Sequence, residues 1–391
     1  MAYITRQLEQ VLKKQLDKYP ILAVTGPRQS GKTTLLEHLF PDYAYVSLEN
    51  ENVRSFAVDD PVGFLKKYPG KVIFDEVQRA PGLFSYLQTE VDRSGQMGQF
   101  ILSGSQNFHL LSNITQSLAG RVALFRLLPL DFAELHSGNY LPQRWTQLAW
   151  QGAYPALFSR QIEPPVFYHN YIETYLNRDV TELSNIRDMH AFRRFLSLCA
   201  GRTGQLLNLA NLARDCDITQ PTAKAWLSIL ESSYILFLLY PYHKNYNKRI
   251  IKTPKLYFYD TGLACFLLGI RKPEDLEMFD LAGNVFETLV IADFIKRNQH
   301  QYLFREYWFW RDSNGNEIDL LTKTGLSLDI FEIKSTQTLN TRLFAGLDYF
   351  TSVSGEKIEA RTLIYGGNES QNRTNYSVIS LDRPMANHLI L

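Results

Sequence analysis

Short apolar runs alternate along the first third of the chain with segments in which apolar residues recur at helical spacing. Apolar residues at every third or fourth position predict an amphipathic helix over residues 4–18. The short apolar runs that follow predict strands at residues 21–24, 44–48, 72–74, 100–102 and 122–127. Strands that alternate with helices predict a parallel sheet covered by helices on both faces.

The pattern changes twice further along the chain. Residues 131–200 are mostly helical in pattern, whereas residues 201–262 predict a helix, a tight turn, a second helix and two strands. The charged stretch Arg271–Asp275 contains Pro273 and predicts a linker. A last region predicts a helix, a strand, a hairpin and a helix. We therefore expect an α/β protein of two or three domains.

Composition restricts the classes of protein that this chain can belong to. The 391 residues carry a net charge of +1 and are 45% apolar, which predicts a folded protein and excludes a general polycation. The longest apolar run, near Tyr234–Leu239, is far too short to span a membrane. The three cysteines are widely spaced, which is typical of a reducing compartment and argues against a metal cluster. We expect a cytoplasmic protein without a membrane partner.

The segment Gly26–Thr33 fits the phosphate-binding pattern G-x-x-x-x-G-K-[ST] and lies between a predicted strand and a predicted helix. Its glycines let successive N–H groups point at phosphate oxygens, and the helix that follows adds the positive end of its dipole. Lys32 is expected to reach the β- and γ-phosphates of ATP, and the Thr33 hydroxyl to hold Mg²⁺. The predicted nucleotide-binding residues of this loop are Gly26, Pro27, Arg28, Gln29, Ser30, Gly31, Lys32, Thr33 and Thr34.

Acidic and hydroxyl side chains follow the predicted strands at residues 72–74 and 100–102. Asp75 is expected to hold Mg²⁺ beside Thr33, and Glu76 to accept a proton from the attacking water. The alternative is an ordinary solvated strand end. After residues 100–102, Ser103 or Ser105 is expected to position the water, and strand phase does not choose between them. The alternative there is a simple polar turn.

Arg121 lies directly before a predicted strand, after Gly120, which is expected to cap the end of a helix. An exposed arginine at this place is suited to stabilise the γ-phosphate bound by a neighbouring subunit. The alternative is an arginine that only satisfies carbonyl groups at the helix end.

Residues 201–262 have the element order of a helix-turn-helix with a wing. Leu206 is expected in the first helix, and Thr219 is placed to cap the second. The outward positions of the second helix are Gln220, Thr222, Lys224 and Ser228. The basic residues between the two strands, with no acid among them, are Lys244, Lys248, Arg249, Lys252 and Lys255. This composition predicts contact with a phosphate backbone, and the alternative is a winged helix used only for packing.

A hairpin in the last region gathers charged residues on one face. A turn centred on Thr324–Gly325 pairs Asp319 with Ile330 and places Glu332 and Lys334 further along the same face.

A helix that begins near Val285 is expected to bring Glu287 to this face. Asp…Glu-x-Lys with an upstream Glu resembles the PD-(D/E)xK nuclease fold, although Ile318 stands where that motif has Pro. The resemblance implies that Glu287, Asp319 and Glu332 bind Mg²⁺ and that Lys334 orients or activates water. The alternative is a domain kept for structure or DNA docking, in which Lys334 only pairs with Asp319.

The motifs G-P-R-Q-S-G-K-T-T, F-D-E-V-Q, S-G-S and S-L-A-G-R together resemble those of the AAA+ ATPases of the AAA_14 type, which carry a C-terminal DUF4143 region. The resemblance implies ATP hydrolysis with Mg²⁺ and self-association, including a hexameric ring. It supports roles for Lys32, Thr33, Asp75, Glu76 and Arg121 at the matching positions. The segment Tyr175–Val180 also matches; Arg178 in it is either a nucleotide sensor or a member of a structural ion pair.

The same resemblance implies a domain division. An AAA+ parallel-sheet core is expected at 1–135, a helical lid at 136–200 and a winged-helix middle region at 201–262. A restriction-endonuclease-like α/β domain is expected at 275–391.

Three functions remain open from the sequence. The first is an ATP-driven protein that binds or remodels DNA, including branched DNA. The second is an ATP-gated, Mg²⁺-dependent DNA nuclease. The third is a nucleotide switch that binds a protein partner and has no DNA role.

Overall fold

The computed structural model of the protein describes residues 3–105, 118–176, 188–243 and 253–382. The elements of the first region are α1 (Leu8–Leu16), β1 (Ile21–Thr25), α2 (Lys32–Leu39), β2 (Ala44–Ser47), α3 (Glu51–Asp59), α4 (Pro61–Lys67), β3 (Val72–Asp75), α5 (Leu83–Ser94), β4 (Phe100–Gly104) and β5 (Val122–Arg126). A short 3₁₀ turn, Val77–Arg79, follows β3.

The five strands of this region form one sheet in the order β2-β3-β4-β1-β5, and every neighbouring pair is parallel. This confirms the predicted parallel core. β1 and β4 are buried along their whole length, since hydrophobic clusters cover both faces of the sheet. All five strands run the same way, so the segments after β1, β3 and β4 meet at one edge of the sheet.

The middle of the chain is mainly helical. Its elements are α6 (Phe132–Ser137), α7 (Trp145–Gln151), α8 (Pro155–Ser159), α9 (Pro164–Tyr171), a π-helical turn (Ile172–Leu176), α10 (Met189–Ala200), β6 (Gln205–Leu206), α11 (Leu209–Asp215), α12 (Gln220–Ser232), β7 (Leu236–Leu239), β8 (Lys255–Phe258) and α13 (Thr261–Leu267).

Helices α11 and α12 form the predicted helix-turn-helix. Thr219 caps α12, because its Oγ1 accepts the N–H of Thr222 at 3.2 Å. β6, β8 and β7 form an antiparallel sheet in that order. The prediction that Leu206 belongs to the first helix is wrong: Leu206 pairs with Lys255 in the sheet, and the Asn208 cap starts α11 two residues later.

The last region begins with a 3₁₀ segment (Pro273–Met278) and the long helix α14 (Ala282–His300). The remaining elements are β9 (Tyr307–Arg311), β10 (Glu317–Thr324), β11 (Ser327–Lys334), a 3₁₀ turn (Thr341–Phe344), α15 (Ala345–Ser354), β12 (Ile358–Tyr365), β13 (Gln371–Asn372) and β14 (Ser377–Ser380). The prediction of a linker at Arg271–Asp275 is wrong, because Pro273 starts an ordered turn that buries Leu276.

The six strands of the last region form a mixed sheet in the order β13-β14-β12-β11-β10-β9. β10 and β11 form the predicted hairpin, but its register differs from the prediction. Thr324 pairs with Ser327, so the turn consists of Gly325 and Leu326, with Gly325 at a φ of 63°. A two-residue turn of this kind favours glycine at its first central position. The corrected register places Asp319 opposite Glu332 rather than opposite Ile330, and the two still share one face.

One hydrophobic cluster extends through the middle and last regions. It includes Phe192 of α10, Trp226 of α12 and Phe286 of α14. α14 is therefore packed into the same core as the helix-turn-helix. Among the described helices, none has the length and apolar character that crossing a membrane requires.

Candidate functional site

The loop between β1 and α2 has the backbone conformation that a phosphate-binding loop needs. Gly26, Gln29 and Gly31 have positive φ values of 151°, 61° and 91°. A Cβ on Gly26 would collide with the carbonyl oxygen of Leu127, so the residue after β1 has to be glycine. The Oγ of Ser30 is buried and has no hydrogen-bond partner among the described residues. Such a loop fits the oxygens of a phosphate chain.

Lys32 and Thr33 occupy the first turn of α2, where the positive end of the helix dipole meets the loop. Nζ of Lys32 donates to the carbonyl oxygens of Gly26 and Pro27, each at 2.9 Å, and this holds the ammonium over the loop. Oγ1 of Thr33 donates to Oδ2 of Asp75 at 3.1 Å. The structure therefore brings the lysine, the hydroxyl and the first acidic residue together as predicted.

Hydroxyl groups hold the two carboxylates at the end of β3. The Oγ of Ser103 donates to Oδ1 of Asp75, and the Oγ of Ser105 donates to Oε2 of Glu76 at 3.1 Å. Each serine candidate thus contacts a different carboxylate. Glu76 has a φ of 53°, a conformation that non-glycine residues seldom adopt and that often marks a functional site. Sequence reasoning missed Tyr45 on β2, whose hydroxyl donates to Oδ2 of Asp75 at 2.5 Å.

Lys32, Thr33, Asp75 and Glu76 line a cavity of about 460 Å³ between the parallel sheet and the helical segment above it. Arg28, Gln29 and Thr34 of the loop also line this cavity. Its far wall consists of Pro155, Ala156, Ser159 and Arg160, from α8 and the residue after it. The segment expected to be a lid thus contributes to the candidate nucleotide site.

Arg121 lies away from this cavity. It precedes β5, and its carbonyl accepts the N–H of Ile21 at the start of β1, so it sits at the opposite edge of the sheet. Its Nε and Nη2 donate to the carboxylate of Asp92 at 2.5 and 2.8 Å. Arg121 cannot serve the nucleotide of its own chain, and a role towards a neighbouring subunit stays a prediction. Arg178, and the basic residues at 244–252, lie outside the described residues.

A second cavity, of about 690 Å³, contains the charged residues of the hairpin. Oδ2 of Asp319 accepts the N–H of Ile333 at 2.7 Å and Nζ of Lys334 at 2.9 Å. Nζ of Lys334 also lies 2.6 Å from Oε1 of Glu332. Glu287 of α14 lines the same cavity. The structure therefore brings together all four residues that the sequence indicated.

The carboxylates of this second cavity are not fully compensated. Oε2 of Glu332 is buried and has no hydrogen-bond partner among the described residues. Burial and the nearby Asp319 raise the pKa of Glu332 to about 8. Burial, which the attraction of Lys255 only partly offsets, raises the pKa of Glu287 to about 7. Buried carboxylates that lie close together repel one another, and a divalent cation bound between them would offset that repulsion.

Lys255 contributes to this cavity from the middle region. The prediction that it belongs to a DNA-facing basic stretch is wrong, because only 3% of its side chain is exposed. Its Nζ lies 2.9 Å from Oε1 of Glu287 and also pairs with Glu317. Burial lowers the pKa of Lys255, but Glu287, Asp319 and Glu317 outweigh it and raise that pKa. β8 is the middle strand of its sheet and all four of its residues are buried, a fact that composition alone did not reveal.

Sequence reasoning missed Glu317, which also lines this cavity. Carboxylate oxygens of Glu287, Glu317 and Asp319 lie within 4.8 Å of one another. Arg311 donates to Glu317 at 2.9 Å from the outer side of the cavity. Glu317 lies two residues before Asp319 in a predicted strand, and this spacing could have placed both residues on the same face.

Family models match three consecutive parts of the chain. An AAA domain, AAA_14, matches residues 18–136, and two domains of unknown function, DUF8612 and DUF4143, match residues 142–274 and 282–383. The DUF8612 match includes most of the predicted lid and the whole predicted winged helix.

Two relatives match this chain over most of its length. Uncharacterized proteins of Mycobacterium tuberculosis and Mycobacterium bovis are each 32% identical over 329 residues, which is 84% of this chain and 73% of theirs. Among solved structures, a Walker-type ATPase of Pyrococcus abyssi is similar at 16% identity, over 67% of this chain and 94% of that chain, with a TM-score of 0.44. The RuvB Holliday junction branch migration motor of Thermotoga maritima is similar at 17% identity, over 59% and 87%, with a TM-score of 0.30.

The family matches agree with what the structure shows: a parallel sheet, a phosphate loop after β1 and acidic residues after β3. The chain binds nucleotide and belongs to the AAA-type P-loop ATPases of the AAA_14/DUF4143 family.

Proposed function

We propose that this AAA-type ATPase hydrolyses ATP with Mg²⁺ and uses the cycle to act on DNA. The observation that carries the DNA part is the placement of α12. Trp226 on its inner face packs edge-on against Phe192 and Phe195 of α10, at 5.3 and 5.5 Å between ring centroids. Its outer face carries Gln220, Lys224 and Ser228, which are exposed. A helix held in this way by its apolar face can lie against a DNA groove.

The nucleotide site supports the hydrolytic part of the proposal. Oγ1 of Thr33 and the Asp75 carboxylate offer oxygen ligands of the kind that Mg²⁺ prefers. Glu76 is proposed to take the proton of the attacking water, and the contact with Ser105 orients its carboxylate. Ser103 is proposed to position Asp75. Lys32 supplies positive charge to the β- and γ-phosphates.

We propose that the protein self-associates, and that Arg121 of one subunit stabilises the negative charge on the γ-phosphate bound by another. Arg121 lies at the edge of the sheet opposite its own cavity, where only the nucleotide of another subunit could meet it. The ion pair with Asp92 would then hold Arg121 until a neighbour binds.

Basic residues in the sequence between β7 and β8 support contact with the phosphate backbone. The segment 244–252 contains Lys244, Lys248, Arg249 and Lys252 and no acidic residue. Since Lys255 is buried, these four cations, with Lys224 on α12, carry the proposed contact. They are few, so binding should be moderate and strongly dependent on salt.

We expect duplex or branched DNA to bind at low salt and to raise the rate of ATP turnover. Fluorescence anisotropy over a salt series should show the logarithm of the binding constant falling linearly with the logarithm of salt concentration. The double variant Lys248→Gln/Arg249→Gln should reduce that slope by about 2, because two phosphate contacts are lost. Lys66→Gln, an exposed change on α4, is the matched control and should leave the slope unchanged. If single-stranded, duplex and branched DNA all fail to bind, the protein-partner switch replaces this proposal.

A second candidate function is favoured by Oε2 of Glu332, which lies beside Asp319 and Glu287 and has no hydrogen-bond partner within the described ranges. We propose that these carboxylates hold Mg²⁺ for phosphodiester hydrolysis, with Lys334 placed to orient water. Asp319→Asn should abolish Mg²⁺-dependent DNA cleavage and change ATP turnover less than about twofold, because the two cavities are separate. Gel analysis of cleavage alongside an ATPase assay tests this. A wild-type protein that cuts no DNA would show that the domain only docks.

A further inference from the structure

Arg6 contacts the phosphate loop from beneath. Only 3% of this residue is exposed, and it lines the nucleotide cavity. Its Nη1 donates to the carbonyl oxygen of Ser30, within the loop, at 2.8 Å. Its Nη2 donates to the carbonyl oxygen of Leu128 at 2.7 Å, and its Nε lies 3.0 Å from Oε1 of Glu134. One guanidinium thus joins the loop, the segment after β5 and the start of α6.

His300 holds the same segment from the C-terminal side. It is the last residue of α14 and is fully buried. Its Nε2 accepts the backbone N–H of Leu128 at 3.1 Å, so the ring carries its proton on Nδ1. That Nδ1–H donates to Oδ2 of Asp131 at 2.8 Å. Both backbone groups of Leu128 are therefore held, one by His300 and the other by Arg6.

The segment after β5 in turn limits the shape of the loop. The carbonyl oxygen of Leu127 lies against Gly26 so closely that no side chain fits between them. Gly26 at the start of the loop therefore rests on Leu127, and Ser30 near its end is held by Arg6. The carboxylates of this cluster have partners, because Glu134 pairs with the Arg6 guanidinium and Asp131 accepts the Nδ1–H of His300. The cluster is a completed support for the loop and not a vacant ion site.

We propose that Arg6 and His300 are positioning residues for ATP binding. Together they hold the phosphate loop in its binding conformation, so the C-terminal region contributes to a nucleotide site that it does not line. Removing either hydrogen bond leaves a buried backbone group of Leu128 or Ser30 unpaired, which favours other loop conformations. Only molecules with the loop in its binding shape accept phosphate, so nucleotide affinity falls with their fraction.

Two amide substitutions at His300 separate positioning from simple structural support. An asparagine amide can reach the place of Nδ1 and keep the contact with Asp131, but it loses the acceptor for Leu128 N–H. A glutamine can place its Oε1 near the position of Nε2 and keep that acceptor, but it loses the contact with Asp131. The proposal therefore predicts different effects for His300→Asn and His300→Gln, although each removes one hydrogen bond.

The experiment measures ADP affinity by titration calorimetry on the full-length protein, together with the KM and kcat of ATP turnover. We expect His300→Asn to weaken ADP binding about tenfold and raise KM similarly, and His300→Gln to stay within about threefold of wild type. Arg6→Lys reaches one carbonyl only and should weaken binding at least as much as His300→Asn. Amide hydrogen exchange of residues 26–31 should quicken in His300→Asn and not in His300→Gln.

Unfolding midpoints, measured in parallel, show whether each variant is folded. If His300→Asn is folded and binds ADP as wild type does, the proposal is wrong. It is equally wrong if His300→Asn and His300→Gln weaken ADP binding to the same extent, since that result indicates general structural support. Weak binding in His300→Asn alone supports it.

Discussion

Lys32→Ala is expected to lower ATP turnover at least about 100-fold, in the range seen when one charged or hydrogen-bonding group at a transition state is removed. The ammonium is buried and held over the loop by the carbonyl oxygens of Gly26 and Pro27. In the alanine variant no ammonium group stabilises the negative charge on the γ-phosphate in the transition state. Phosphate release under saturating ATP measures the effect, and ADP affinity should fall as well.

Lys66→Ala provides the matched control for this prediction. Lys66 is an exposed lysine of α4 on the same region of the chain, and its loss should leave turnover within about twofold of wild type. A Lys32→Ala protein with the unfolding midpoint and the turnover of wild type would contradict the assignment of the nucleotide site.

Lys255→Met is expected to lower the free energy of unfolding by about 3–5 kcal/mol, the range found when one partner of a buried ion pair is removed. Methionine has similar length but no charge, so Glu287 and Glu317 lose their shared cation. Carboxylate oxygens of these residues and Asp319 lie within 4.8 Å of one another and would repel. Mg²⁺ or Mn²⁺ should restore part of the lost stability, because a divalent cation can replace the ammonium.

Urea unfolding with and without added metal tests this second prediction. Arg311→Gln is the control: Arg311 pairs with the same Glu317 but is more than a third exposed, so its loss should cost less than about 1 kcal/mol. A Lys255→Met protein as stable as wild type, or one that metal does not stabilise, would show that the cluster does not depend on a central cation.

The nucleotide site was predictable from the sequence because its residues are local. Gly26–Thr33 are contiguous in the sequence, and Asp75 and Ser103 each directly follow an apolar run that predicts a strand. Parallel strands bring such ends together at one edge of a sheet, so adjacency follows from topology. The hairpin was predictable for the same reason, although a shift of the turn by one residue changed which residues face each other.

Contacts between distant segments could not be predicted in this way. Arg6 and His300 are 294 residues apart in the chain and lie side by side beneath the loop. In the sequence, Lys255 is one more cation in a basic stretch. Its burial follows from the position of β8 between β6 and β7, which the sequence pattern does not show. Tyr45 contacts Asp75 because β2 lies next to β3. The apolar pattern predicts where strands occur but does not predict their order in the sheet.

Helix α14 has a consequence for how this chain can be divided. The helix opens the DUF4143 match, yet Phe286 packs edge-on against Trp145 at 5.0 Å between ring centroids, and the hydroxyl of Thr288 bonds to that of Thr203. A fragment that ends at residue 274 would expose the apolar surface that α14 covers, and a fragment that begins at 282 would lack Lys255. Recombination that exchanged only the C-terminal region would therefore break a core and an ion pair at once. The three family matches divide the sequence, but the contacts of α14 and Lys255 join the second and third stretches into one folding unit.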